Sequence, residues 1–441
     1  MKDGTAERAE AFLIQNGLHE SCVDFDAQAA RFAGQMDAGL RGDVSSLQMA
    51  PTYLDAGARA RGAGSAIAID AGGTNLRIAL TEFGPEGIPE LVYQEKYPTP
   101  GSEEAIAKDG FFDSLVRYMG PILDKSDRIG LCFSFPSEIL PDRGARILNF
   151  NKELRVSGAA GALIRPELST ALRRAGKQPK RVTVLNDTAA ALLGELAVMP
   201  SQRYSGYVGL IYGTGLNICY REAIANIAKL GRPPGPADIA DTALAAHMLI
   251  NTECGGYDGF EQSACDRAID LSSVNPGDHI FEKMMSGAYY GAFVSECLRH
   301  AANSGFFETG LPERVRGLGA LTAADAAVFM ESPAGGNLLA GLCRTNEDRM
   351  ALTALLDGLY DRAAKMLAAA AFAVMRRSGG GTPGAPVCLV TEGSSFKKAY
   401  RFRERFESML HRFAGGGLYY ELIAAENHTL FGAASAALRN S

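Results

Sequence analysis

Residues 66–80, AIAIDAGGTNLRIAL, constrain this chain most: an apolar strand ends in an acid and a double glycine, then starts again at once as a second strand. Glycine lacks a Cβ and permits φ > 0, so a turn of this kind lets backbone N–H groups approach an anion closely. Asp70 beside Gly72 and Gly73 is suited to hold Mg²⁺ through water, and Thr74 and Asn75 add donors. An ordinary Gly-rich hairpin would look similar. A second unit weighs against that bland alternative: residues 207–220, YVGLIYGTGLNICY, run strand, Gly213-Thr214-Gly215, polar residue, strand. Two such hairpins point to a duplicated fold in which the turns face each other across a cleft and hold one nucleotide from both sides.

The length of 441 residues is enough for two or three domains, each with its own core. A hydrophobic share of 47% and a charged share of 21% are those of a soluble globular protein. The formal net charge of −6 provides no basic footprint for nucleic acid or an anionic membrane, so phosphate substrates must be held by local donors and metal. The 8 cysteines include no Cys-x-x-Cys pair and the 6 histidines show no metal-ligand spacing, which favours free thiols over disulfides or a structural zinc. No positively charged, apolar leader opens the chain, and the longest apolar stretch, MLAAAAFAVM (366–375), is too short to span a bilayer. A cytoplasmic location is the resulting expectation.

Along the chain, Phe25, Ala29, Phe32 and Met36 recur at helical spacing within one or two amphipathic helices over 5–41, and 45–64 reads as irregular. A helix is expected between 103 and 123, a strand over 128–136, and a strand over 181–187 that feeds Asn186 and Asp187 into a helix from Thr188. Ligands usually bind at that carboxyl edge of an open α/β sheet. RPPGPAD (232–238) reads as a loop, with helices expected over 239–250, 281–302 and 349–377 and a glycine cap at 379–381. VCLVTEGSS (387–395) repeats the strand-to-glycine pattern before a helix over 396–413, and the alternation as a whole predicts an α/β fold with mixed sheets.

Taken in order, SSLQMAPTYL (45–54), IDAGGTNLRI (69–78), FSFPSE (133–138), LNFNKELRVSG (148–158), VLNDT (184–188), GLIYGTGLNICYRE (209–222), NTECGG (251–256), FEKMMSGAYYG (281–291) and TEGSSFKK (391–398) resemble the eukaryotic-type hexokinase family of the actin-like ATPase superfamily. The resemblance covers nearly the whole chain. It implies a two-lobed, ribonuclease H-like α/β fold with a duplicated mixed-sheet core and a cleft between the lobes. N-terminal helices (1–64) would pack on a large lobe (187–425), a small lobe would span 65–186, and a C-terminal helix (426–441) would return to the small lobe.

The resemblance further implies ATP-dependent phosphorylation of a hexose, glucose first, at its 6-hydroxyl. Asp187 matches the family's general base, and Lys152 stands with it as catalytic. Ser134, Asn151, Lys152, Asn186, Asp187, Asn217, Glu253 and Glu282 match the sugar contacts, where carboxylates and amides answer hydroxyls that both donate and accept. Asp70, Gly72, Gly73, Thr74, Asn75, Gly213, Thr214, Gly215, Gly393 and Ser394 match the nucleotide contacts, with Asp70 the water-mediated Mg²⁺ residue. Asp187 and Glu282 have plainer readings too, as a helix cap and as a solvated helix charge beside Lys283, and Arg77, on the strand after the first turn, reads as a structural cation.

Three departures stand out. The family's Thr-Lys-Gly reads Asn151-Lys152-Glu153, which leaves the sugar preference open among glucose, fructose, mannose and amino sugars. Cys254 replaces a tryptophan in a chain with Trp 0, and Glu426-Asn427-His428 replaces Asp-Gly-Ser before the last helix. Two further classes compete with a kinase. A sugar sensor would close on hexose without useful turnover, and an actin-like filament or chaperone ATPase would share the phosphate hairpins but lack the sugar blocks. The expected partners are a hexose and a nucleotide, with no nucleic acid and no membrane, and nothing in the sequence assigns an oligomeric state.

Overall fold

The computed structural model describes residues 3–56, 62–73, 75–150, 154–199, 204–231, 246–307, 310–425 and 428–439. Thr74, Asn151, Lys152, Glu153, the loop at 232–238, Glu426 and Asn427 lie outside the described residues.

Two mixed sheets share one strand order. In the first, Gly64–Ala71, Asn75–Phe83 and Pro89–Pro98 form an antiparallel meander, and Arg128–Phe133 then Arg181–Leu185 return parallel on the other side of Gly64–Ala71. In the second, Gly206–Tyr212, Leu216–Ala223 and His247–Asn251 form the meander, and Val387–Glu392 then Tyr420–Ala424 return parallel beside Gly206–Tyr212. The short strand Ala50–Pro51 is added antiparallel at the His247–Asn251 edge. Helices lie on both returns of each sheet, as parallel crossovers require.

Strand periodicity explains how the sheets stack. Ile67 and Ile69 face a core on one side of the first sheet that includes Phe111, Leu115, Phe133 and Leu168. The intervening Ala66 and Ala68 face a central core with Cys132, Cys219 and Cys388. That central face carries small residues from both sheets, and helices Asp187–Val198 and Thr429–Leu438 fill the space between them. The helices meet backbone to backbone. A Cβ at Gly432 would fall 1.9 Å from the Ala190 carbonyl oxygen, one at Gly194 2.0 Å from that of His428, and one at Gly130 1.9 Å from that of Ala433. The largest core joins the second sheet to the long helix Asn346–Arg377 and to the N-terminal helices Asp3–Gln15 and Phe25–Arg41. Among the described residues, no helix is long and apolar enough to cross a membrane.

Three elements differ from the sequence reading. The helix expected over 239–250 is a strand where it is described, His247–Asn251, because Met248, Leu249 and Ile250 are buried and their backbone pairs with Leu216–Ala223. The helix over 281–302 is two, Ile280–Met285 and Gly287–Asn303, broken at Ser286, with the Gly287 N–H donating 2.8 Å to the Gly213 carbonyl. The helix over 396–413 is also two, Ser394–Lys398 and Phe402–Phe413, separated where Arg401 takes φ 50.

Candidate active site

Asp70, one residue before the end of its strand, stands directly opposite Arg77 in the hairpin ladder. The Arg77 guanidinium grips the Asp70 carboxylate, donating from Nε at 3.0 Å and also from Nη2, while Nη2 donates 2.8 Å to Thr429 Oγ1. Thr429, the first residue of the C-terminal helix, in turn donates 3.2 Å to Asp70 Oδ2. The acid beside the first turn is therefore oriented by its own hairpin and by the chain's last helix. In that turn the Gly72 N–H donates 3.1 Å to the Asn75 carbonyl, and the Gly72 carbonyl accepts 2.7 Å from Thr99 Oγ1. Ser134 joins the same edge, its N–H donating 3.2 Å to the Ala71 carbonyl.

Asn186 caps helix Asp187–Val198, its Oδ1 accepting 3.0 Å from the Ala189 N–H. Asp187 is the first helical residue, and its Oδ1 accepts from the Thr188 N–H at 2.7 Å and the Thr188 hydroxyl at 3.2 Å. Burial pushes its carboxyl above the ordinary carboxylate range, Thr188 opposes that shift, and the charge of Asp70 adds to it. The thiol of Cys132, paired with Asp70 in the sheet, is raised well above its usual value by burial and then by the charges of Asp70 and Asp187. The two acids thus stand on either side of one strand end.

The second turn joins Gly206–Tyr212 to Leu216–Ala223 in the other sheet. Its Gly213 N–H donates 3.0 Å to the Gly215 carbonyl, repeating the first turn's closure. Gly72, Gly213 and Gly215 do not adopt positive φ, so at these positions the glycines do not use the left-handed freedom they permit. Space is what excludes a side chain in the second turn: a Cβ at Gly215 would stand 2.9 Å from Glu282 Oε2, and one at Gly213 3.3 Å from the Gly393 Cα. Gly393 does need positive φ, at 118, and a Cβ there would strike the Tyr212 carbonyl oxygen at 2.2 Å. Ser394 follows it, exposed, at the start of helix Ser394–Lys398.

Glu282 is half-buried, and its Oε2 accepts 3.0 Å from the Leu216 N–H. Burial raises its carboxyl, opposed by that N–H and by His279. Beside it, Asn217 Nδ2 donates 3.0 Å to Glu253 Oε1 and 3.0 Å to Asn251 Oδ1, and the Asn251 amide also donates to Glu253 Oε1. Glu253 takes the left-handed φ of 55, a conformation that costs a non-glycine residue about 1–3 kcal/mol and recurs at functional sites. Burial pushes its carboxyl up to about 7, against the hydrogen bond from Asn217. Glu392, just before Gly393, is likewise pushed up to about 7, first by burial and then by the charge of Asp187.

The charge of Asp187 adds to the raised carboxyls of Glu253, Glu282 and Glu392 alike, while Asn217 is bonded to Glu253, Asn186 adjoins Asp187, and Ser134 stands at the strand edge by Asp70. Asn75, exposed at the first turn, and Thr214, whose carbonyl accepts 3.1 Å from the Ala288 N–H, belong to the two hairpins. Gly73 closes the described part of the first turn. Four residues escaped the sequence reading. Asn251 precedes Glu253 by two in the same block, at the end of its strand. Glu392 lies inside the TEGSSFKK block, whereas Thr429 and His279 carry no local signal.

Two family models described as hexokinase match this chain, over residues 207–439 and 15–196. Hexokinase-1 of Schizosaccharomyces pombe is 27% identical over 427 residues, which cover 92% of this chain and 84% of that protein. Hexokinase-1 of Pongo abelii is 27% identical over 438 residues, covering 93% of this chain and 46% of that protein, so the chain spans about half the length of that relative. The solved hexokinase from Schistosoma mansoni, complexed with glucose, superposes with a TM-score of 0.76 at 22% identity and covers 100% of this chain and 99% of its own. That likeness is one of fold, the two-lobed actin-like ATPase architecture of duplicated mixed sheets.

Proposed function

Because the chain belongs to the hexokinase family, we propose that it transfers the terminal phosphoryl group of ATP to the 6-hydroxyl of a hexose, with glucose as the first substrate. The observation that supports this most is the placement of Asp187, its carboxyl raised by burial, in charge contact with Glu253 and Glu282 and beside the acid of the first glycine turn. In this reading Ser134, Asn186, Asn217, Glu253 and Glu282 hold the sugar, joined by Asn151 and Lys152 from the segment outside the described residues. Glu253 and Glu282 accept from sugar hydroxyls, and Asn217 and Asn251 keep the Glu253 carboxylate oriented.

Asp187 takes the proton of the attacking hydroxyl. Thr188 fixes its Oδ1, which leaves Oδ2 for the sugar, and burial makes the carboxylate a stronger base. A positioned base of this kind supplies roughly 10²–10⁴-fold of rate. In this reading the two glycine turns, each closed by its own Gly72 or Gly213 N–H, receive the nucleotide phosphates from opposite lobes, and Gly393 leaves room for the nucleotide against bare backbone. Closure of the lobes on the sugar would exclude water from the phosphoryl group.

For Mg²⁺, the residues fit a hydrated ion better than a direct protein cage. Among the described residues no group of three or more His, Cys, Asp or Glu side chains is arranged to hold an ion. Asp70, oriented by Arg77 and Thr429, suits contact through water. When bound, the ion neutralises phosphate charge.

A panel of glucose, fructose, mannose and glucosamine, assayed with ATP and coupled detection of ADP, tests the reading. Sugar-dependent ADP release with a hexose 6-phosphate product is expected. A sugar-dependent thermal shift with no ADP formed from any of the four would instead support a sensor.

A further inference from the structure

We propose that the buried ion pair between Lys283 and Asp270 positions Glu282 for the hexose, by pinning the loop from which the short helix carrying Glu282 begins. The inference rests on the kinase reading and deepens it, adding two positioning residues behind the sugar contacts. Helix Ile280–Met285 has 6 residues, too few to hold its place by its own hydrogen bonds. Tertiary contacts must fix it. Phe281 packs on Phe260 with ring centroids 4.7 Å apart, and the Tyr212 hydroxyl donates 2.9 Å to the Met285 carbonyl at the helix end. At the other end the chain enters through a loop, 273–279, whose last residue, His279, takes the left-handed φ of 52.

Lys283 ties that loop down. Its side chain is only 2% exposed, whereas its neighbour Glu282 reaches the Leu216 N–H after the second turn. The ammonium donates 2.7 Å to Asp270 Oδ1 in helix Ala264–Ser272 and 2.6 Å to the Asn275 carbonyl in the loop. Asp270 completes the clamp, since the Gly277 N–H donates to both of its carboxylate oxygens at 3.0 Å. One buried pair therefore holds the loop at two backbone points. Beyond them the Asp278 carboxylate accepts 2.9 Å from the His279 N–H, and the His279 carbonyl accepts 3.0 Å from the Lys283 backbone N–H, which starts the helix. A strained residue persists where its surroundings over-determine it, and the clamp supplies that constraint for His279. For stability alone an apolar pair of similar volume often serves as well as a buried ion pair. What the charges add here is placement: Glu282 Oε2 sits 3.0 Å from the Leu216 N–H and 2.9 Å from where a Cβ on Gly215 would fall, a seat that a small shift of the helix would break.

The test is a double-mutant cycle between Lys283→Met and Glu282→Gln in the full chain, read by calorimetric titration with whichever of glucose, fructose, mannose and glucosamine the wild type phosphorylates fastest. Lys283→Met keeps the apolar stem and removes the clamp. Alone, it should weaken hexose binding by about tenfold or more, the scale of a lost hydrogen bond to a charged group, while ADP affinity stays within about twofold of wild type. In the Glu282→Gln background the same substitution should cost less than about twofold, because the carboxylate through which the pair acts is already gone. A purely structural role would instead add its loss in both backgrounds. Equal losses with and without Glu282→Gln would overturn the inference and leave the kinase reading standing, and so would a Lys283→Met variant that binds hexose as the wild type does. A wild type that phosphorylates none of these sugars would remove both. Should Lys283→Met fail to fold, Asp270→Asn combined with Lys283→Met removes both charges together, and the same cycle is run on that pair: coupling to Glu282→Gln supports the inference, and additivity overturns it.

Discussion

Glu253 shows how one residue couples this site to pH. Its carboxyl is raised from about 4.5 to about 7 by burial, while accepting from Asn217. A raised carboxyl pKa means that the ligand-free fold binds a proton that the unfolded chain releases. Its stabilising contribution is complete below about 4.5 and is lost as pH climbs through about 7. A sugar hydroxyl donating to Glu253 favours the ionised form, so hexose binding should expel a proton. Hexose affinity should therefore rise as pH increases toward 7 and level off above it, with proton release visible when calorimetry is repeated in buffers of different ionisation enthalpy. Glu253→Gln should weaken binding and flatten that profile, whereas an unchanged profile would locate the titration elsewhere. Asn186, Asp187, Asn217, Glu253 and Glu282 were legible as a set only through the family resemblance of the blocks that contain them; for Glu282 the helix pattern alone favours a solvated charge beside Lys283. Asp70's two partners were not equally legible: Arg77 lies in the same hairpin, but Thr429 is 359 residues away and meets Asp70 only through the fold.

Among elements, the pair of central helices carries the clearest packing consequence. Gly432→Ala would drive a Cβ to 1.9 Å from the Ala190 carbonyl oxygen, and backbone cannot rotate away as a side chain tip can. The expected cost is about 1–3 kcal/mol, read as a lowered melting temperature. Gly341→Ala, where nothing lies within 4 Å, should stay within about 0.5 kcal/mol of wild type. Equal effects in the two variants would contradict this account of the interface. The same contact explains why part of the element pattern was hidden. Ala- and Gly-rich stretches read as helix wherever they occur, which suited Asp187–Val198 and Thr429–Leu438 but misled at His247–Asn251. There a short run of apolar residues is buried on both faces as a strand, and its partners, Leu216–Ala223 and Ala50–Pro51, are distant in sequence. The breaks at Ser286 and Arg401 were equally silent, since they are set by contacts with the second turn and by a single left-handed residue.

At the scale of the whole molecule, the repeated hairpin revealed a duplication, and the structure extends it to a shared strand order in both sheets. The order itself could not be read locally, because Arg128–Phe133 and Val387–Glu392 join their sheets across long crossovers. What duplication achieves is a cleft with a glycine turn and an acid on each side, and with Asp187 at the start of a helix between the sheets. The account as a whole depends on that aspartate acting as the base. Asp187→Asn, compared with wild type for glucose binding by calorimetry and for glucose-dependent ADP release, tests it most directly. Glucose affinity should remain within a few-fold while turnover falls by roughly 10²–10⁴-fold. Turnover close to wild type with the carboxylate removed would contradict it.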